Sequence, residues 1–155
     1  GDTLKVPEVH IENSVAVVPG IDGRKMSKSY HNYLWLLDDE KTLRKKIKQI
    51  MTASLPVEAP KDPDSCIVYQ LSKLFTTVEE DTEIRTRYLA GGMGYGEAKD
   101  YLAEKVLAFT WAIQKIYNDL TEEEIVAIID RGTQKAYAIA TKKIEEINQK
   151  VWFKL

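Results

Sequence analysis

Cysteine is nearly absent. The 155 residues hold Cys66 alone, which excludes an internal disulfide framework and suits a cytoplasmic protein. Long apolar runs are missing too, so no stretch offers the roughly 18 residues that a transmembrane helix needs. The opening Gly1-Asp2-Thr3-Leu4-Lys5 has no apolar core of a secretory signal. Glycine (8) and proline (5) are at ordinary levels and 44% of residues are apolar, which excludes collagen-like and disordered classes. Charge of one sign is also lacking. The net value is −2, yet a balanced total does not exclude a polyanionic partner, because binding follows local clusters. A chain of this length forms one domain, or a small domain with part of another.

The charge that is present is unevenly placed. Residues 41–48 read Lys-Thr-Leu-Arg-Lys-Lys-Ile-Lys without an acid, whereas 79–83 read Glu-Glu-Asp-Thr-Glu. Either run also reads as a solvated helix face.

The pattern along the chain predicts an extended head followed by helices. In residues 4–18, Val9, Ile11, Val15, Val17 and Val18 are β-branched and Pro7 and Pro19 bound the stretch, which predicts one or two short strands. A helix is expected from near Asp38, with Leu43, Ile47, Ile50 and Met51 on one face and Arg44, Lys45 and Lys48 toward solvent. Pro56, Pro60 and Pro63 mark 52–63 as a loop. Asp62 and Pro63 fit an N-cap and first helical residue, opening a helix with Ile67, Leu71, Leu74 and Val78. A shorter helix over 81–90 should stop at Gly91-Gly92. A long one over 96–119 carries Leu102, Val106, Phe109, Ile113 and Ile116, and Phe109, Trp111 and Tyr117 read as core. Thr121 and Glu124 form a capping box, with Leu120 and Ile125 as a hydrophobic staple. Gly132 should end that helix, and a last one over 133–151 places Ala136, Ala140, Ile144 and Ile147 together. Gly92-x-Gly94-x-Gly96 reads as a helix stop and start, because no strand precedes it. Trp152 and Phe153 are candidates for exposed terminal aromatics. Cys66 reads as a packing residue.

Chemistry concentrates in residues 20–32, Gly-Ile-Asp-Gly-Arg-Lys-Met-Ser-Lys-Ser-Tyr-His-Asn. Glycines allow tight turns with accessible amides. Lysines supply mobile positive charge and serines supply short hydrogen bonds. Such a cationic loop suits a polyphosphate whose charge grows during reaction.

Lys25-Met26-Ser27-Lys28-Ser29 is KMSKS, and it resembles the second signature of class I aminoacyl-tRNA synthetases. The flanking Gly20-x-Asp22-Gly23, Tyr30-x-Asn32, Gly94-Tyr95-Gly96-x-x-Lys99 and Gly132-x-x-Lys135-Ala136 are similar to the tryptophanyl branch. The resemblance runs from Pro7 onward. It implies a mainly α fold: residues 37–155 as a helical bundle of the anticodon-binding type, preceded in 1–36 by a short C-terminal remnant of a Rossmann-type catalytic domain carrying the loop. It implies activation of tryptophan by ATP to an aminoacyl adenylate and transfer to tRNA(Trp), with Mg2+ bound through the ATP phosphates and no metal ligands from the chain. Lys25 and Lys28 would stabilise the departing pyrophosphate as catalytic residues. The backbone at Met26 would lie near adenine, Ser27 and Ser29 would hold the loop on the phosphates, and Ala16 would lie beside the base. Lys45 and Lys48 become candidate tRNA contacts. The full enzyme would be a cytoplasmic homodimer with no membrane association.

The first class I signature, a HIGH-like motif, is lacking. His10 and His31 have no suitable glycine neighbours. The chain is therefore expected to be the C-terminal half of a synthetase, inactive alone, and Gly1 in place of Met fits a cut end. The corresponding half of a tyrosyl enzyme, and a non-catalytic helical RNA-binding module, stay open as alternatives.

Overall fold

The computed structural model describes residues 3–12 and 15–151. The expected aromatic pair Trp152 and Phe153 lies outside them. The described residues group into two compact units, Ile11–Ile116 and the remainder at the two ends of the chain. The fold is mainly helical, as expected.

Within the first unit, α1 (Glu40–Lys48) starts where the Asp39 carboxylate accepts the Thr42 amide at 2.7 Å. That bond, the largest cause, holds the Asp39 carboxyl below its usual range. Leu43, Ile47 and Ile50 are buried, but Met51 is 64% exposed. The helix ends at Lys48, and the Met51 amide instead donates to the Ile21 carbonyl at 3.1 Å. The loop after α1 is as expected. Asp62 does not cap a helix: its side chain accepts the Asp64 amide and 63–65 form a turn. Helix α2 (Ile67–Ser72) begins later, with Cys66 at its N-cap, and covers only six residues. Val78 belongs to the next element, α3 (Val78–Ala90). A capping box starts α3: Thr77 Oγ1 accepts the Glu80 amide and the Glu80 carboxylate accepts the Thr77 amide.

Gly91 and Gly92 stop α3, both at positive φ. Gly91, with φ 80° and ψ −179°, is in a region open to glycine rather than in the left-handed helical well. Helix α4 (Tyr95–Asp119) follows directly, so the Gly-x-Gly-x-Gly run is a helix stop and start as expected. The core joins Leu43 and Ile47 of α1, Val68, Tyr69 and Leu71 of α2, Ile84 and Tyr88 of α3, and Leu102 and Val106 of α4. Cys66 is buried there, its thiol 3.7 Å from the Tyr88 hydroxyl. Desolvation at this site raises the Tyr88 phenol well above its usual range. Buried positions along α4 end at Thr110. Trp111 is 66% exposed, and Phe109, Ile116 and Tyr117 are exposed as well. The expectation that these aromatics are core is overturned, because the apolar stripe of α4 runs past the elements that cover it.

In the second unit, the Thr121–Glu124 capping box forms as expected. The helix it opens, α5, runs unbroken from Glu122 to Val151. Gly132 does not end it. Glycine costs a helix about 1 kcal/mol against alanine, but it terminates one only where the chain turns to positive φ. None of the described side chains of α5 is buried, so the stripe of Ala136, Ala140, Ile144 and Ile147 is not core.

The extended head is corrected as well. Among the described residues of 4–18 there is no strand. The β-branched pattern is present, but a strand needs a ladder partner, and Val9 is 86% exposed. Among the described residues the sole pairing is an isolated antiparallel bridge between Pro19 and Lys25, so a Rossmann remnant is not seen in their secondary structure.

Candidate functional site

The basic loop springs from that bridge. The Gly20 amide donates to the Arg24 carbonyl at 2.7 Å, the Gly23 amide to the Gly20 carbonyl at 3.0 Å, and the Met26 amide to the Val18 carbonyl at 2.8 Å. The glycines therefore build the turn and their amides are engaged, contrary to their expected role as accessible donors. Gly23 has φ 80°, which glycine supplies without strain.

One side chain closes the neck. Asn32 is 2% exposed. Its Oδ1 accepts the Ser27 amide at 2.8 Å, and its Nδ2 donates to Asp22 Oδ1 at 2.7 Å and to the Lys25 carbonyl at 3.2 Å. Its own carbonyl accepts the Ile21 amide at 2.9 Å. A Cβ at position 20 would collide with the Asn32 amide, so glycine is required there by close approach. Asp22 is also bonded by the Arg24 amide at 3.1 Å and by the Arg24 guanidinium at 2.7 Å. The bond from Asn32, then those from Arg24, hold its carboxyl below the usual range.

Beyond the neck, Ser27 caps a single 3-10 turn, Lys28–Tyr30. The two serines come together, with hydroxyl oxygens 2.8 Å apart, and the Ser29 amide donates to Ser27 Oγ. Tyr30 and His31 donate their amides to the carbonyls of Ser27 and Lys28. His31 leaves the turn at φ 53°. The Arg24 guanidinium sits 4.6 Å from the centre of the Tyr30 ring. Met26 tucks its side chain against the core while the lysines on either side stay exposed.

The donor inventory is asymmetric. From Met26 to His31, every amide except that of Lys28 has an intramolecular acceptor. Among the described residues, the amides of Lys25 and Lys28 have none, and neither ammonium group has a carboxylate partner. The two signature lysines thus each present a free backbone donor and a free positive charge. That set suits oxyanions of a polyphosphate. No group of three or more His, Cys, Asp or Glu that could hold a metal ion occurs among the described residues.

The other anticipated residues are less integrated. Ala16 lies exposed at a bend, and the ties to the loop come further along, at Val18 and Pro19. On α1, Lys45 is exposed with no ion pair among the described residues, and Lys48 approaches Asp100 at 3.8 Å. Asn32 and Asp22, which organise the neck, were visible in the sequence only as flanking residues. Their role depends on closure of the loop, which spacing does not report.

The family model described as tRNA synthetases class I (W and Y) matches residues 2–110. Tryptophan–tRNA ligase of Campylobacter jejuni is 40% identical over 153 residues, which is 97% of this chain and 48% of that protein. The same-named protein of Rhodopirellula baltica is 45% identical over 148 residues, covering 94% and 46%. A crystal structure of tryptophanyl-tRNA synthetase from Campylobacter jejuni, complexed with ADP and tryptophan, superposes with a TM-score of 0.79 at 39% identity, over 99% of this chain and 49% of that one. The chain spans about half the length of the curated relatives it matches. No described helix is long and apolar enough to cross a membrane.

Proposed function

The chain belongs to the tRNA synthetases class I (W and Y), and from that premise we propose that it supplies the signature-loop half of a tryptophan–tRNA ligase. The observation that carries the reading is the intact loop, with Lys25 and Lys28 each offering an unpaired ammonium group and an unengaged amide. The relatives' names support tryptophan over tyrosine. In the activation step the amino-acid carboxylate attacks the α-phosphorus of ATP. The bond to the β-phosphate oxygen breaks, and its electron pair leaves on pyrophosphate. Lys25 and Lys28 meet that growing charge, and preorganised donors of this kind act mainly in the transition state. Ser27 and Ser29 shape the turn on the phosphates, and the Met26 backbone and Ala16 lie toward the adenine. Mg2+ bound through the ATP phosphates, with no ligand from this chain, would neutralise part of their charge. The 3′-terminal ribose hydroxyl of tRNA(Trp) then attacks the adenylate carbonyl and releases AMP.

Residues 37–155 form the tRNA-docking body in this reading and 1–36 the end of the catalytic domain. Lys45 and Lys48 contact tRNA phosphates, each adding about one unit to the salt slope of binding. The complete enzyme is a homodimer in the cytoplasm. The sequence holds no first signature, so the 155-residue chain alone is expected to give no ATP–pyrophosphate exchange.

The test is tryptophan-dependent exchange by the ligase that carries this chain. Lys28→Ala should lower kcat about 10²–10³-fold, the effect of losing one transition-state donor. Exchange that depends on tyrosine instead, or a Lys28→Ala variant with unchanged kcat, would overturn the assignment. Exchange by the pure isolated chain would overturn the half-enzyme reading.

A further inference from the structure

We propose that Asn32 is a positioning residue for the activation step, acting through the loop neck to aim Lys25 and Lys28; the inference rests on the ligase reading above. Three features of the neck converge on it. Asn32 is the most buried polar side chain of the loop. Its amide group uses one acceptor and two donors to join both limbs: the Ser27 amide on one side, the Lys25 carbonyl and Asp22 on the other. Gly20 has no Cβ where the Asn32 amide sits, so the neck is built around that side chain.

The bonding pattern decides what stays free. Asn32 fixes the Lys25 carbonyl and the Ser27 amide, the groups that flank Met26. Ser27, held in this way, caps the turn that begins at Lys28. The amides of Lys25 and Lys28 stay among the loop donors that have no intramolecular acceptor among the described residues. An apolar residue at position 32 would leave Ser27 N–H and Asp22 without this partner, and the two limbs would move independently. A misplacement of about 1 Å in such a site can cost about a hundredfold in rate. Asn32 itself is buried and touches no reacting atom in this role.

Two measurements test this. In the 155-residue chain, amide hydrogen exchange at Ser27 should quicken about tenfold in Asn32→Ala, the loss of one ordinary hydrogen bond, while Leu102 and Val106 in α4 keep their protection. In the ligase carrying the chain, Asn32→Ala should lower kcat for tryptophan-dependent ATP–pyrophosphate exchange about a hundredfold, with KM for tryptophan unchanged. If Asn32→Ala does not fold, Asp22→Ala decides, because it removes the shorter-bonded of the two acceptors of Asn32 Nδ2 at a partly exposed position. It should lower kcat about tenfold, and Asp22→Asn, which keeps an acceptor oxygen, should restore it. Unchanged Ser27 exchange, unchanged kcat, or failure of Asp22→Asn to rescue would each overturn the proposal. Loss of exchange in Lys28→Ala with a normal Asn32→Ala sinks the positioning role alone. A normal Lys28→Ala sinks the ligase reading and the positioning role with it.

Discussion

Two loops of the first unit are closed by one recipe and put to opposite ends. Each pairs a glycine with a buried polar side chain. At the signature loop, Gly20 makes room for Asn32, which satisfies amides and carbonyls alike and leaves the lysines outside. In the loop after α1, Gly91 makes room for the Glu58 carbonyl. There Lys61, 2% exposed, turns its ammonium inward to the carbonyls of Pro56, Val57 and Ala59 at 3.0–3.1 Å. Its amide also holds the Tyr88 carbonyl at 2.7 Å. One lysine is used up in holding its own loop, and two others are kept available by an uncharged side chain. A neutral pin can bridge donors and acceptors without drawing on the charge that the loop presents.

Three measurements sharpen or break that contrast. The largest effect is expected for Gly91→Ala, where the new Cβ meets backbone at a φ that L-residues avoid. Stability should fall by about 3 kcal/mol, read from the urea midpoint at constant slope. A loss below about 1 kcal/mol would mean that the close approach to Glu58 is dispensable. Next is Lys61→Met, which keeps the stem and removes the ammonium. Three carbonyls lose a donor and about 2 kcal/mol should be lost. No change in kcat of the ligase should accompany it beyond the loss in stability, whereas a matching fall in kcat would erase the distinction between the loops.

The smallest effect is an acid response. Asp22 has a carboxyl lowered by its bonds to Asn32 and Arg24. The stabilisation it gives is therefore complete above the ordinary aspartate value near 3.9 and is lost as pH falls through the lower folded value. Ser27 exchange, corrected for its intrinsic pH dependence, should rise only below about pH 4. The Lys61 loop, whose ammonium meets three carbonyls and the Tyr95 ring and has no carboxylate partner among the described residues, should show no such step. Loosening of the Ser27 amide already at pH 5–6 would show that Asp22 does not hold the neck.

The signature loop and the helix start at Thr121 were legible because their information is local. KMSKS, the Thr121–Glu124 box and the glycine stop after α3 are each complete within a few residues. Partnerships between distant segments were not. The β-branched head looks like a strand, but only a neighbour could make it one. Lys61 carries no sign in sequence that its charge is buried, since that depends on how Pro56–Ala59 fold over it. The stripe of α4 predicts one face correctly but not where its cover ends, so Trp111 was misplaced. Thr77 and Glu80 were readable as a capping box, yet apolar spacing through Val78 ran a helix across them.

Helix α5 has a thermodynamic consequence. Thirty residues at 1.5 Å each extend about 45 Å, and no described side chain along them is buried. Its helicity therefore draws mainly on local terms: the capping box at Thr121, intrinsic propensity, and the Lys143–Glu146–Lys150 ion pairs near its end, beside one long-range bond from Lys143 to the Thr3 carbonyl. Such a segment frays on its own schedule rather than with a cooperative core. Calorimetric and van't Hoff enthalpies of the 155-residue chain should consequently disagree.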